Sequence, residues 1–190
     1  MKPIARDELM DLAAYERVRE PYLRSVIERK RARYVKLGSN MTGLFENRDT
    51  VLLQVQEMLR TERITQEQAI AHELDTYNEL VPGERELSLT LFIEYQEREE
   101  RERMLTALAG MESKLGLRVG DELLAVIPDR RSTDPERTMA VHYLKFPLSE
   151  RALEGLRSGA KLALELAHPA YSAVAELGPA TLQSLRDDFA

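Results

Sequence analysis

With no cysteine in its 190 residues, this chain must do any side-chain chemistry with carboxylates, arginines, lysines, hydroxyls and three histidines. That excludes disulfides, thiolate metal sites, cysteine-held iron–sulfur clusters and cysteine nucleophiles together, and it fits a reducing, cytoplasmic setting. Among the carboxylates, Glu57, Glu62, Glu73 and Glu94 lie in or beside apolar patterns. Glu73 falls on one helical stripe with Ile70 and Tyr77, which predicts a largely buried carboxyl. Such a group needs a partner, and arginine or a tyrosine hydroxyl is the usual one. Arg48 and Arg60 are the arginines expected to pair with Glu57 and Glu73.

Metal chemistry would have to come from His72, His142 and His168. A di-iron site in a helical bundle needs two Glu-x-x-His pairs. The chain has one, Glu165 with His168, in a segment that reads as a strand, where a spacing of three puts the two on opposite faces. His142 alternates with Ala140, Leu144 and Phe146 and reads as a hydrogen-bonded histidine of the core or a sheet edge. No metal or cofactor site is expected. The serines show no Gly-x-Ser-x-Gly elbow, and the glycines form no phosphate-binding loop.

Charge is the remaining signal. Arg17 to Lys36 carries a net +6 inside a chain of net −6. The cluster Arg29, Lys30, Arg31 and Arg33 is its densest part. Arg29 and Arg33, four apart, share a helix side, since each residue turns about 100°. An excess of cations on an acidic chain points to an acidic protein partner. A sequence pI near 5.3 argues against nucleic acid, whose binding domains usually lie above about 9.

These groups must be positioned by elements that the periodicity outlines. Asp7 to Arg19 reads as a helix, and Pro21 as the start of a second with Tyr22, Leu23, Val26 and Ile27 on its stripe. Arg33 to Leu37 reads as a short strand. Asn47 caps a helix that buries Val51, Leu52, Val55, Met58 and Leu59. Thr65 with Gln68 has the capping-box spacing for another, which ends at Pro82-Gly83. From Leu87 the period changes. Leu87–Tyr95, Glu122–Ile127, Thr138–Phe146 and Lys161–His168 predict one antiparallel sheet, with a Gly120-Asp121 hairpin turn and a further strand from Tyr171 to Leu177. Glu97 to Leu108 returns to helix, Pro128 to Arg137 is a polar loop, Ser149 caps a short helix and Pro179 opens the last one. Helices early and strands late predict an α+β fold in which a helix-rich N-terminal half packs on a mostly antiparallel sheet from the C-terminal half. The length predicts a single domain over 1–190. No apolar run resembles a signal-peptide core or reaches the ~18 residues of a membrane span.

Seven runs together carry a family resemblance: Met1 to Ile4, Ile27 to Arg33 (IERKRAR), Phe45 to Thr50 (FENRDT), Gln56 to Arg60, Glu73 to Gly83 (ELDTYNELVPG), Leu89 to Glu94 and Leu117 to Asp121. They resemble the uncharacterised bacterial family called domain of unknown function 3501. The resemblance covers nearly the whole chain and is least distinctive from Ser149 onward. It implies no activity. It does imply a context, genes for rubrerythrin-like di-iron proteins and an iron–sulfur oxidoreductase. The expectation is therefore a non-enzymatic accessory protein that binds an acidic or redox partner through Arg29, Arg31 and Arg33. The alternative is an enzyme or sensor that holds a small anion in a pocket lined by Arg48, Glu57, Arg60, Glu73 and Tyr77.

Overall fold

A computed structural model of the chain describes residues 1–128 and 135–189. The first helix, α1, runs unbroken from Leu12 to Arg31, preceded by a 3-10 turn at Arg6–Glu8. The two helices expected on either side of Pro21 are therefore one. Pro21 removes one ladder hydrogen bond, a disruption of about 3 kcal/mol inside a helix. It sits on the exposed side of α1, while Tyr15 and Val26 are fully buried on the other side and hold the axis in place. Asp11 caps the start, accepting from the Ala14 N–H at 2.7 Å.

Strand β1 (Tyr34–Lys36) turns back into β2 (Met41–Glu46). Periodicity does not announce β2, because all six of its residues are buried and none of the alternation of a half-buried strand survives. The turn needs Gly38, whose φ is +68° and whose missing Cβ would collide with the Tyr171 hydroxyl. That hydroxyl donates to Leu37 O at 2.8 Å and accepts from Asn40 N at 3.1 Å. Helix α2 (Arg48–Thr61) follows at once, with Asn47 as its cap, as expected. Helix α3 (Glu67–Asn78) starts after Gln66 without a side-chain cap, so the Thr65–Gln68 capping box does not form.

The strands β3 (Glu86–Ile93), β4 (Leu115–Val119), β5 (Glu122–Ala125), β6 (Ile127–Pro128), β7 (Val141–Pro147), β8 (Leu162–His168) and β9 (Tyr171–Glu176) form two sheets with β1 and β2, not one. The orders are β1-β2-β3-β7-β6 and β5-β4-β8-β9, antiparallel throughout. The expected single sheet divides because the strand after Gly120 changes partner at Val126: its first part pairs with β4 and its second with β7. The fold is α+β. The N-terminal half nevertheless supplies three strands, β1, β2 and β3, as well as helices.

Between the sheets lies the main core, with Phe45, Leu89, Leu91, Leu117, Phe146 and Leu164 among its fully buried members. Helices α4 (Arg98–Ala107), α5 (Glu150–Ser158) and α6 (Pro179–Asp187) add Leu105, Leu156 and Leu185 to it. A second apolar cluster forms where α2 and α3 pack, built on Val51, Val55, Leu59, Ile70 and Leu74. No helix is long and apolar enough to cross a membrane among the described residues.

Candidate functional site

The largest fully buried polar side chain is Arg33, 1% exposed, at the corner between α1 and β1. Its guanidinium spends every donor. Nε donates to Phe45 O at 2.6 Å, Nη1 to Ser184 Oγ at 2.9 Å and Ser184 O at 3.3 Å, and Nη2 to Glu46 O at 3.1 Å and Asp188 Oδ2 at 2.6 Å. Asp188 also accepts from Asn47 Nδ2 at 3.3 Å. Burial pushes the Asp188 carboxyl up, against the opposing pull of Arg33. Beside it, Glu46 is equally buried and accepts from the Thr50 hydroxyl and from Thr90 Oγ1 at 2.7 Å. The arrangement clamps the end of α6 onto the β1–β2 pair. A buried arginine with five satisfied donors has none left for a ligand. Arg33 is thus not part of a docking face, and the expected Arg29–Arg33 face is corrected: α1 ends at Arg31, and the chain turns inward before Arg33.

Next to the clamp opens a cleft of about 310 Å³, where α1, the start of α2 and the end of α6 meet. Arg29, Arg33, Asn47, Asp49, Ser184, Asp187 and Asp188 are in its lining. Arg29 pairs across it with Asp49 at 3.3 Å. Three carboxylates against two paired arginines leave the cleft without the positive excess an anion requires.

The residues expected to line an anion pocket are distributed elsewhere. Glu57 accepts from Tyr15 Oη at 2.6 Å and takes both prongs of Arg19 at 2.8 Å, so its partner is Arg19 and neither Arg48 nor Arg60. The Arg19 guanidinium, with help from Tyr15, holds the Glu57 carboxyl below the usual carboxylate range. Burial and then Glu57 push the Tyr15 phenol up. Arg48 pairs with Glu8 and donates to Lys2 O at 3.1 Å. Arg60 pairs with Glu16 at 2.7 Å. Glu73 is half-buried on α3 beside Tyr77, and is not the largely buried group paired with an arginine or a tyrosine hydroxyl that its stripe suggested. Burial raises the Tyr77 phenol. Arg48, Glu57 and Arg60 tie α2 to the N-terminal segment and α1, and none of the five lines the cleft.

His142 lies on β7 in the core, one of the two positions, core or sheet edge, that its alternation allowed. Its Nε2 is 2.8 Å from Met139 O and 3.0 Å from Thr138 Oγ1, and its Nδ1 is 3.2 Å from Glu112 Oε1 without the alignment of a hydrogen bond. Burial pushes the imidazole down. Glu165 pairs with Arg118 at 2.5 Å, and His168 ends β8. No group of three or more metal-ligating side chains occurs among the described residues.

The surface of α1 gives a different arrangement of cations. Tyr15, Arg19, Tyr22 and Val26 face α2, with the two tyrosine rings edge to face at 6.1 Å. Arg24 is two residues, about 200°, from Val26 and so points the other way. Arg17 and Arg31 lie seven residues to either side of it, drifting only ~20° per heptad. The three arginines form a straight ridge with steps of about 10.5 Å. All three are exposed, the side chains of Arg24 and Arg31 by 75% and 71%. Arg31 has Glu28 at 2.7 Å and Arg24 has Glu20 at 3.9 Å, pairs open to solvent and exchangeable. The signal was legible as a spacing of seven, which the denser cluster at 29–33 obscured.

Fold and surface together define an antiparallel two-sheet α+β protein with a cationic helix laid along its side. The chain belongs to the family of proteins of unknown function DUF3501, which it matches over residues 3–189. It is similar to a protein of unknown function from Burkholderia pseudomallei K96243, known from a crystal structure at 1.90 Å. The two are 37% identical, with a TM-score of 0.93 over 100% of both chains. A search of curated proteins gave no match.

Proposed function

We propose that this protein is a non-enzymatic accessory protein that docks an acidic protein partner through the outward ridge of α1. The observation that carries the reading is the line Arg17, Arg24 and Arg31, three exposed guanidinium groups in register on a helix anchored by Tyr15 and Val26. Charge complementarity selects the occupant: a cationic ridge on a chain of net −6 attracts a local carboxylate patch while the rest of the molecule repels polyanions. Glu20 and Glu28 beside the ridge strengthen that discrimination. The family context makes a redox protein of the rubrerythrin or iron–sulfur oxidoreductase type the first partner to try.

Small-anion binding, as an enzyme or sensor, is the second reading. Its support is the cleft at Arg29 and Arg33, and it is weaker because both arginines are paired there. The test is affinity capture from the native host with the wild-type chain and with R17E/R24E/R31E, at low and high salt. The proposal expects an acidic protein that binds wild type, is lost from the variant, and is released as salt rises. Capture that ignores both the reversal and the salt, or the lack of any salt-sensitive acidic partner, overturns it.

A further inference from the structure

Among the described residues, one sheet edge is much less protected than the others. Edge strands expose unpaired N–H and C=O groups, and proteins protect them by shortness, charged side chains (lysine above all), proline or a bend. β1 has three residues and ends in Lys36. β6 has two and ends in Pro128. β5 bends at Val126 into the other sheet. β9, the last strand of its sheet, runs for six residues with no lysine, no proline and an unbroken register to β8, its single charge being Glu176 at the end.

Which groups β9 leaves free follows from that register. His168 and Tyr171 close a two-residue hairpin turn, and Leu177 N donates to Leu162 O at 2.8 Å. Hydrogen-bonded pairs alternate along an antiparallel ladder, so Tyr171, Ala173, Ala175 and Leu177 direct their backbone groups at β8. Ser172, Val174 and Glu176 direct theirs outward. The side chains of these same three residues are exposed on the outer face, Val174 by 66%, the most of any large apolar residue described.

We infer that β9 pairs with β9 of a second copy of this chain about a two-fold axis at Val174. The free groups are symmetric about that residue. With Val174 opposite Val174 of the other copy, Ser172 falls opposite Glu176, and all six outward N–H groups find a carbonyl. The side chains agree: valine meets valine across the dyad, and each serine hydroxyl can donate to the facing carboxylate. No like charges stand directly opposite. Sliding the centre to Ala173 keeps the faces aligned but matches only four of the six N–H groups and sets Ser172 against Val174. The Tyr171 hydroxyl, tied to Leu37 O and Asn40 N, holds the strand in place before the partner arrives.

The absence of cysteine makes the register directly testable. Cα atoms of a hydrogen-bonded antiparallel pair are about 5.5 Å apart, within disulfide range, whereas Ser172 of the two copies would be about 14 Å apart, four residues along and one strand across. V174C should therefore give a disulfide-linked dimer under mild oxidation, and S172C should not. Sedimentation of the wild-type chain should show a dimer, and V174K, which sets two lysines on the dyad without touching the β8 ladder, should weaken it by about 10- to 100-fold with unchanged circular dichroism. A wild-type monomer at all accessible concentrations overturns the inference. So does a dimer indifferent to V174K, or crosslinking at position 172 equal to that at 174.

Discussion

Replacing Arg33 with methionine tests the clamp most sharply. Methionine keeps the apolar stem and removes five hydrogen bonds, those to Phe45 O, Glu46 O, Asp188 and both Ser184 acceptors. The larger effect is on what stays behind. The Asp188 side chain is 7% exposed, and among the described residues it keeps only the long contact to Asn47 without Arg33. Stranding one partner of a buried ion pair costs about 3–5 kcal/mol. For a chain of this size each kcal/mol moves the melting temperature by about 2–4 °C, so R33M should melt about 6–20 °C lower. Thermal unfolding followed by circular dichroism reads the midpoint. The double variant R33M/D188L, which removes the stranded charge, should recover at least half of the loss, because an apolar replacement of a buried pair is often neutral. An unchanged R33M midpoint, or losses that simply add in the double variant, would refute the clamp.

Three further outcomes follow from other residues. Glu57 is held below its ordinary value of 4.5 chiefly by Arg19, so it stabilises the fold above that pH and the stabilisation is lost as pH falls through the folded value. E57Q should be less stable than wild type at pH 7 and converge on it in acid; a gap that stays constant down to pH 3 counts against the pair. His142 is held below its ordinary 6.5 by burial, so below that pH the unfolded chain takes up a proton that the folded chain resists. Stability should fall with acidification by up to ~1.4 kcal/mol per pH unit, and H142Q should lose that slope whatever its absolute stability; an unaltered slope would exclude His142 as its source. G38A should destabilise by about 1–3 kcal/mol, because a left-handed φ and the Tyr171 hydroxyl both oppose a Cβ there, and a wild-type denaturation midpoint would show that the turn yields.

Features that depend on neighbours along the chain were legible before any folding was considered. Asn47, Ser149 and Pro179 open helices where local chemistry said they would, because a cap needs only the next three residues. The Gly120-Asp121 turn and the α+β class were legible for the same reason, and so was His142 as a hydrogen-bonded histidine of either the core or a sheet edge. Tertiary structure decided whatever required residues distant in sequence. α1 passes through Pro21 because packing on α2 outweighs a local break. β2 is hidden because both its faces are covered, which erases the alternation that marks a strand. Arg33 looks like one more cation of a basic run, yet its partners Ser184 and Asp188 lie more than 150 residues on. Glu57 finds Arg19 and not an arginine of its own helix, since α1 and α2 lie side by side. Charge and spacing name the residues able to pair, but only the fold brings particular partners within 3 Å and removes the water that would otherwise make each pair weak.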